Sequence, residues 1–220
     1  MMDQGLASNG AMRMPGGLVR LADADGAAAH AWCRHLATPQ AQQRDLGDAV
    51  HALCILHGHQ PGLADAARDH GATPTARQWL NQAADGFAAE RSLLAKLAAA
   101  AGPLPSTPGH AESQAAITAQ RHALEMLARS DRCGCAIGAV AALVGDWLAI
   151  RRILDAAAAR YTVAAPAMTL PADATPAMVA SVATSPGIER AIGFGAEQLL
   201  AQHRGLWSLL EARAEARDRS

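Results

Sequence analysis

Aromatic residues are scarce in this 220-residue chain: they make up 3% of it, with one Tyr. Val, Ile, Phe and Tyr, the residues that suit a pleated sheet, are thin throughout, while alanine, the best helix former, dominates. The first consequence is an all-helical fold. Lysine is almost missing as well, since Lys96 is the single lysine among 19 basic residues. Net charge is also lacking: the formal value is −1 and the pI is near 6.7. That balance provides no field to draw the chain to nucleic acid or to an anionic membrane.

Several familiar signatures are absent. There is no phosphate-cradling glycine loop followed by Lys, no G-x-S-x-G, no H-E-x-x-H and no C-x-x-C-H. Glu-x-x-His does not occur, which argues against the di-iron centre of ferritin-type bundles. The glycine-rich pieces have no strand before them, so a dinucleotide fold is excluded. Residues 1–17 hold no apolar core of the kind a secretory signal needs, so the expected compartment is the cytoplasm, with Cys33, Cys54, Cys133 and Cys135 reduced. The Cys133-Gly-Cys135 pair lacks the second Cys/His pair of a zinc site. The longest apolar run, Cys133 to Ile150, contains Asp146 and ends at Arg151-Arg152. It is short of a membrane span and is expected as a buried helix.

What is present is helical periodicity. Residues 1–42 are expected as a loosely ordered arm, with at most a short helix over 27–36, and residues 43–217 as one helical-bundle domain. Five long helices are expected: 44–57, 74–101 behind a Thr73-Pro74 start, 110–130, 135–161 and 186–217. Short helices follow at 63–70 and 176–184. The segments are joined by proline-braced links, so neighbours should pack antiparallel. The fourth is apolar nearly all round and should be central. The tail beyond Leu210 is charged and expected to fray.

Some polar residues fall in the apolar stripes. His57 ends the stripe Leu46, Val50, Leu53. Glu90 lies between Phe87 and Leu94, with Arg91 at its edge. Gln120 and its neighbour Arg121 lie in the third helix, and Gln202 and its neighbour His203 in the fifth. Arg151 and Asp155 stand one turn apart on the fourth, and His110 opens the third beside its stripe. Two readings stay open. These groups could converge on a polar cavity, with Glu90 and His57 holding a metal or moving a proton and Arg151 holding an anion. Alternatively they are paired charges that fix helix register, with no cofactor. Asp48/His51 and His122/Glu125 point off the stripes and are expected at the surface. His59 and His70 fall in turns.

The segments His57-Gly-His-Gln-Pro-Gly62, residues 100–113, Arg121-His-Ala-Leu-Glu125 and Leu199–Trp207 resemble a family of uncharacterised proteins from sphingomonad-type alphaproteobacteria. The resemblance spans roughly residues 44–217. It implies a cytoplasmic bacterial protein, in keeping with the Ala and Arg excess of a GC-rich genome, and carries no catalytic residues with it. The outline also resembles ferritin-like and haem-oxygenase-like bundles. Two function classes follow: a bundle acting through protein contact or self-association, and a bundle binding a metal or small molecule in a polar core, an oxidase-like enzyme included.

Overall fold

The computed structural model describes residues 16–103 and 109–219. Among them every regular element is helical. Helix α1 covers residues 16–25. It is followed by a 3-10 turn at Ala27–Ala29, then α2 (Ala31–Leu36), α3 (Gln43–His57), α4 (Leu63–Ala66) and a second 3-10 turn at Arg68–His70. The long elements α5 (Pro74–Ala101), α6 (His110–Ala128), α7 (Cys135–Tyr161) and α9 (Pro186–Asp218) follow, with α8 (Thr175–Val182) before the last. No helix among the described residues is long and apolar enough to cross a membrane.

The helix starts have local causes. Thr73 caps α5 by accepting the Ala76 N–H at 3.0 Å, and Ser185 caps α9 by accepting from Ile188 at 3.4 Å. In each, Pro occupies the first helical position, where no amide bond is lost. The turn before α4 contains a cis Gln60–Pro61 bond.

Contacts between helices give their directions. On α3, Cys54 reaches Leu94, while His51 reaches Gly102 beyond the end of α5, so α3 and α5 are antiparallel. His57 meets His203, and Asp48 meets Arg217, so α3 and α9 are antiparallel as well. Gln120 meets Gln202 and His110 meets Arg213, which sets α6 against α9 in the same way. By contrast α7 and α9 run in the same direction, for Gly138 abuts Ile192 and Asp146 meets His203. The all-α bundle expected from composition is present, yet its central pair is parallel. The reason is the connection: residues 162–185 form an extended strap plus α8, long enough to return the chain to its starting end.

Helix α7 is the axis. Leu143, Val144, Trp147, Ile150, Ile153 and Leu154 are all at most 2% exposed. Burying one such Leu or Ile contributes about 1.5–3 kcal/mol relative to exposure. Two glycines allow α9 to lie directly on it. A Cβ at Gly138 would press into the Ile192 carbonyl, and one at Gly195 into the Cys135 carbonyl. The strap crosses the outside of α5 and α7. Trp79 Nε1 donates to the Pro171 carbonyl at 3.0 Å, and Leu170 fills the notch left by Gly86.

The expected loose arm at 1–42 is only partly described, since residues 1–15 lie outside the described range. Residues 16–42 carry helical turns and place Ala27, Cys33, Leu36 and Ala41 in the core. Short, interrupted segments such as these owe their order to docking rather than to helix propensity. Helix α9 ends at Asp218, close to the expected bound at 217, and the turns beyond Leu210, expected to fray, are helical with Ala214 buried, where Arg213 and Arg217 reach Asp48 and Asp45 on α3.

The glycine contact is directly testable. Gly195→Ala is expected to lower unfolding stability by about 1–3 kcal/mol through overpacking. Gly193→Ala, whose added methyl meets open space, is expected to leave stability unchanged or raise it slightly. Urea unfolding of both variants beside the parent checks the pair.

Candidate functional site

Polar residues of the helix seams gather in two places on either side of Trp147. In the first, Glu90 on α5 is 2% exposed and receives Arg151 Nη1 at 2.7 Å and Trp147 Nε1 at 2.9 Å. Arg151 also donates from Nε to Asp155 at 2.8 Å and from Nη2 to the Pro166 carbonyl of the strap. Both Glu90 oxygens are engaged, as a buried carboxylate requires. The group fastens the strap to the bundle and leaves Glu90 no oxygen without a partner.

The second place is a line of hydrogen bonds across three elements. Asp146 on α7 is 3% exposed. Its Oδ1 accepts the Ala27 amide at 2.6 Å, and its Oδ2 accepts Nδ1–H of His203 at 2.6 Å. His203 Nε2 lies 2.9 Å from His57 Nε2. His57, the last residue of α3, stands edge-on to Trp147 with ring centroids 5.3 Å apart. Burial, and after it the adjacent His203, hold His57 well below the usual imidazole range.

The geometry limits the protons on this line. Asp146 can only accept, so His203 carries hydrogen on Nδ1. When His203 is neutral its Nε2 is bare, and His57 must donate Nε2–H to it. His57 then keeps a bare Nδ1. Only one proton fits between the two facing nitrogens.

His57 also borders a cavity of about 240 Å³ formed by the end of α3, the 58–62 turn, α4 and α6. Leu56, Leu63 and Leu124 form its apolar wall, while His59, Arg121, Glu125 and Arg129 are its polar groups. Arg121 donates to His59 and lies 3.4 Å from Glu125. The Glu125 carboxyl is held below its usual range, first by its hydrogen bond from His122 and also by the nearby arginines.

The ten residues singled out from sequence therefore do not share one cavity. Glu90, Arg151 and Asp155 form one group, and His57 and His203 another. Arg121 lines the pocket. Arg91 pairs with Asp65 at 2.9 Å where α5 meets α4. His110 sits 3.5 Å from Arg213. Gln120 donates to the backbone carbonyl of Gln202 at 3.1 Å, so Gln202 contributes main chain only. The expected seam of α9 is buried at Ile192, Gly195, Leu199 and Leu206, but at the polar position it is His203 that is wholly buried while Gln202 is half-buried.

Three buried carboxylates escape a stripe-based reading. Asp146 interrupts a helix that is apolar all round, and that isolated charge was the available signal. Asp45 and Asp48 are 4% and 6% exposed. Asp48, expected at the surface, is instead covered by Arg213 and Arg217 reaching across from α9. Among the described residues no group of three or more His, Cys, Asp or Glu stands together as a metal site would.

In comparison with known proteins, the family of unknown function DUF6975 matches residues 22–218. Neither a curated protein nor a solved structure matches the chain.

Two outcomes follow from this geometry. Arg151→Met strands Glu90 without its cation and is expected to cost about 3–5 kcal/mol of unfolding free energy. Acidification has a defined sign: the depressed His57 stays neutral in the folded chain while its unfolded counterpart takes a proton near pH 6.5. Stability from this group is complete above that pH and falls as pH drops from about 6.5 toward the folded value, by at most about 1.4 kcal/mol per pH unit. Urea titrations between pH 7.5 and 5 are expected to show this loss in the parent and a shallower one in His57→Gln.

Proposed function

The chain belongs to the family of unknown function DUF6975, and we propose that it binds a small molecule in the pocket beside His57 and exchanges a proton with it. The observation that carries this reading is the unbroken Asp146–His203–His57 line, which runs from a buried carboxylate to the pocket wall. A ligand proton taken up on His57 Nδ1 releases the Nε2 proton to His203. The positive charge then rests on His203, 2.6 Å from the Asp146 carboxylate that stabilises it. A neutral His57 suits the accepting role, since a base must be unprotonated at working pH. The pocket's leucines exclude water around the exchange, and Arg121 and Arg129 favour a ligand carrying negative charge. A cytoplasmic bacterial setting, implied by the sphingomonad resemblance, accords with the four free cysteines.

Protein contact is the second reading. It is favoured by an apolar surface where α1, α7 and α8 meet, on which Val19 is 58% and Leu148 44% exposed. Leu148→Glu is expected to convert a self-associated species to monomer in size-exclusion chromatography with light scattering. A parent that already elutes as a monomer removes this reading.

The proton-exchange reading is tested by NMR of the imidazole nitrogens. A thermal-shift panel of small carboxylates, amino acids and sugar phosphates selects a binder, which is then titrated at constant pH into chain labelled with nitrogen-15 histidine. Binding is expected to protonate the bare Nδ1 of His57 and the bare Nε2 of His203 in the parent, and to leave His203 Nε2 bare in His57→Gln and in Asp146→Asn. A bound ligand that leaves both nitrogens bare in the parent would refute the reading.

A further inference from the structure

Beyond His59 and Arg121, on the side away from His57, a second and more open cleft of about 640 Å³ lies between α3 and α6. His110, Gln114, Thr118 and Arg121 form its α6 wall. Their spacing of four, four and three residues puts them on one helix face. The α3 wall brings His51, and His59 stands at the end of the cleft. A helix face in a chain with near-zero net charge should mix acids with bases. Here three imidazoles, a guanidinium, an amide and a hydroxyl come together, and no carboxylate is among the described residues that line the space. Glu125, which takes part of the Arg121 charge at 3.4 Å, lines the neighbouring His57 pocket instead.

Hydrogen bonding sets which nitrogens donate. Arginine has no acceptor, so each of its contacts to an imidazole nitrogen places a lone pair there. Arg121 donates to His59 Nε2, and neutral His59 therefore carries its proton on Nδ1. Arg213 approaches His110 Nδ1 at 3.5 Å, which leaves the His110 proton on Nε2. His51 spends its Nε2–H on the Gly102 carbonyl at 2.8 Å. Two imidazoles thus present N–H donors to the cleft: His110 one turn from the Gln114 amide at one end, and His59 beside the Arg121 guanidinium at the other, about 16 Å away along α6. Donors of this kind, without a competing acid, recognise an oxyanion.

We propose that this cleft is an anion-binding subsite that takes the phosphate or carboxylate group of a small molecule. It goes beyond the proton-exchange reading and does not depend on it, although His59 and Arg121 border both spaces. His59 and Gln114 are exposed, so the site is open to solvent and exchanges its occupant quickly.

The test is a nitrogen-15 NMR titration of the full chain with inorganic phosphate and, separately, with acetate, at constant ionic strength. Saturable shifts are expected at the amides of Ile55, Gln114 and Thr118. Gln114→Glu places a carboxylate in the cleft and is expected to weaken binding by about tenfold or more, since it sets a like charge against the anion. Being an exposed position, it should melt with the parent. His110→Ala removes one donor and is expected to weaken binding about two- to tenfold. Tighter phosphate supports a phosphorylated ligand, and tighter acetate supports a carboxylate. Shifts that never saturate, saturating shifts confined to Leu63, Leu124 and Arg129, or a Gln114→Glu chain that binds like the parent would each overturn the proposal. None of these results bears on the imidazole nitrogen signals that decide the role of His57.

Discussion

The arrangement rests on a backbone-to-backbone contact between two helices. Gly138 and Gly195 have no side chain where α7 and α9 touch, and carbonyl groups of the opposite helix occupy the space a methyl would take. Small residues let helices approach closely, and close approach brings mid-helix side chains within hydrogen-bond range of each other. Eight residues further along each helix, Asp146 and His203 meet at 2.6 Å. A larger residue at either glycine would separate the helices, and the buried carboxylate would lose its partner. Because both helices run the same way, the register set at the glycines carries along to the polar pair.

Charge buried in this bundle is arranged by level. At the His57 end of α3, the Asp146–His203 pair and the Glu90–Arg151 pair flank Trp147, which donates to Glu90 and meets His57 in a T-shaped contact. At the other end of α3, Asp45 and Asp48 hold Arg217 and Arg213 of α9. A buried ion pair adds little over a well-packed apolar contact, yet losing one partner is costly. A helix slipped by one turn would strand several of these charges at once. Removal of Tyr161 from water, together with the nearby Asp48, raises its hydroxyl above the ordinary phenol range. That hydroxyl donates to the Gln43 carbonyl at 2.8 Å and closes the same end.

The line through His203 differs from the other groups in one respect. Glu90 and Arg151 satisfy each other inside a closed set, whereas the Asp146 line ends on an imidazole that faces a pocket. The first arrangement holds structure in place. The second leaves the Nδ1 of His57 without a hydrogen-bond partner among the described residues. Arg121 and His59 join that pocket to the imidazole-rich cleft on their far side, so a molecule with an anionic end and an ionisable centre would find a complementary group for each.

Composition and periodicity were enough for the helices. Alanine abundance, a 3.6-residue stripe and the Thr-Pro and Ser-Pro starts are local properties, and α3, α5, α6, α7 and α9 fall within a residue or two of the expected bounds. Burial at Glu90 and Arg151 was legible for the same reason, since each sits in a seam of leucines or isoleucines. The partner of a buried charge was not legible, because partners lie 57 or more residues away in Asp146–His203 and Glu90–Trp147. Nor could a stripe show that Asp48, off the apolar seam of its own helix, would be covered by arginines from another. That the chain is helical, where its helices begin and which faces turn inward were legible without a structure, because those depend on near neighbours. Which distant faces meet sets that the central helices run parallel, that the arm and the C-terminal turns dock, and that an aspartate and two histidines stand in one line of hydrogen bonds.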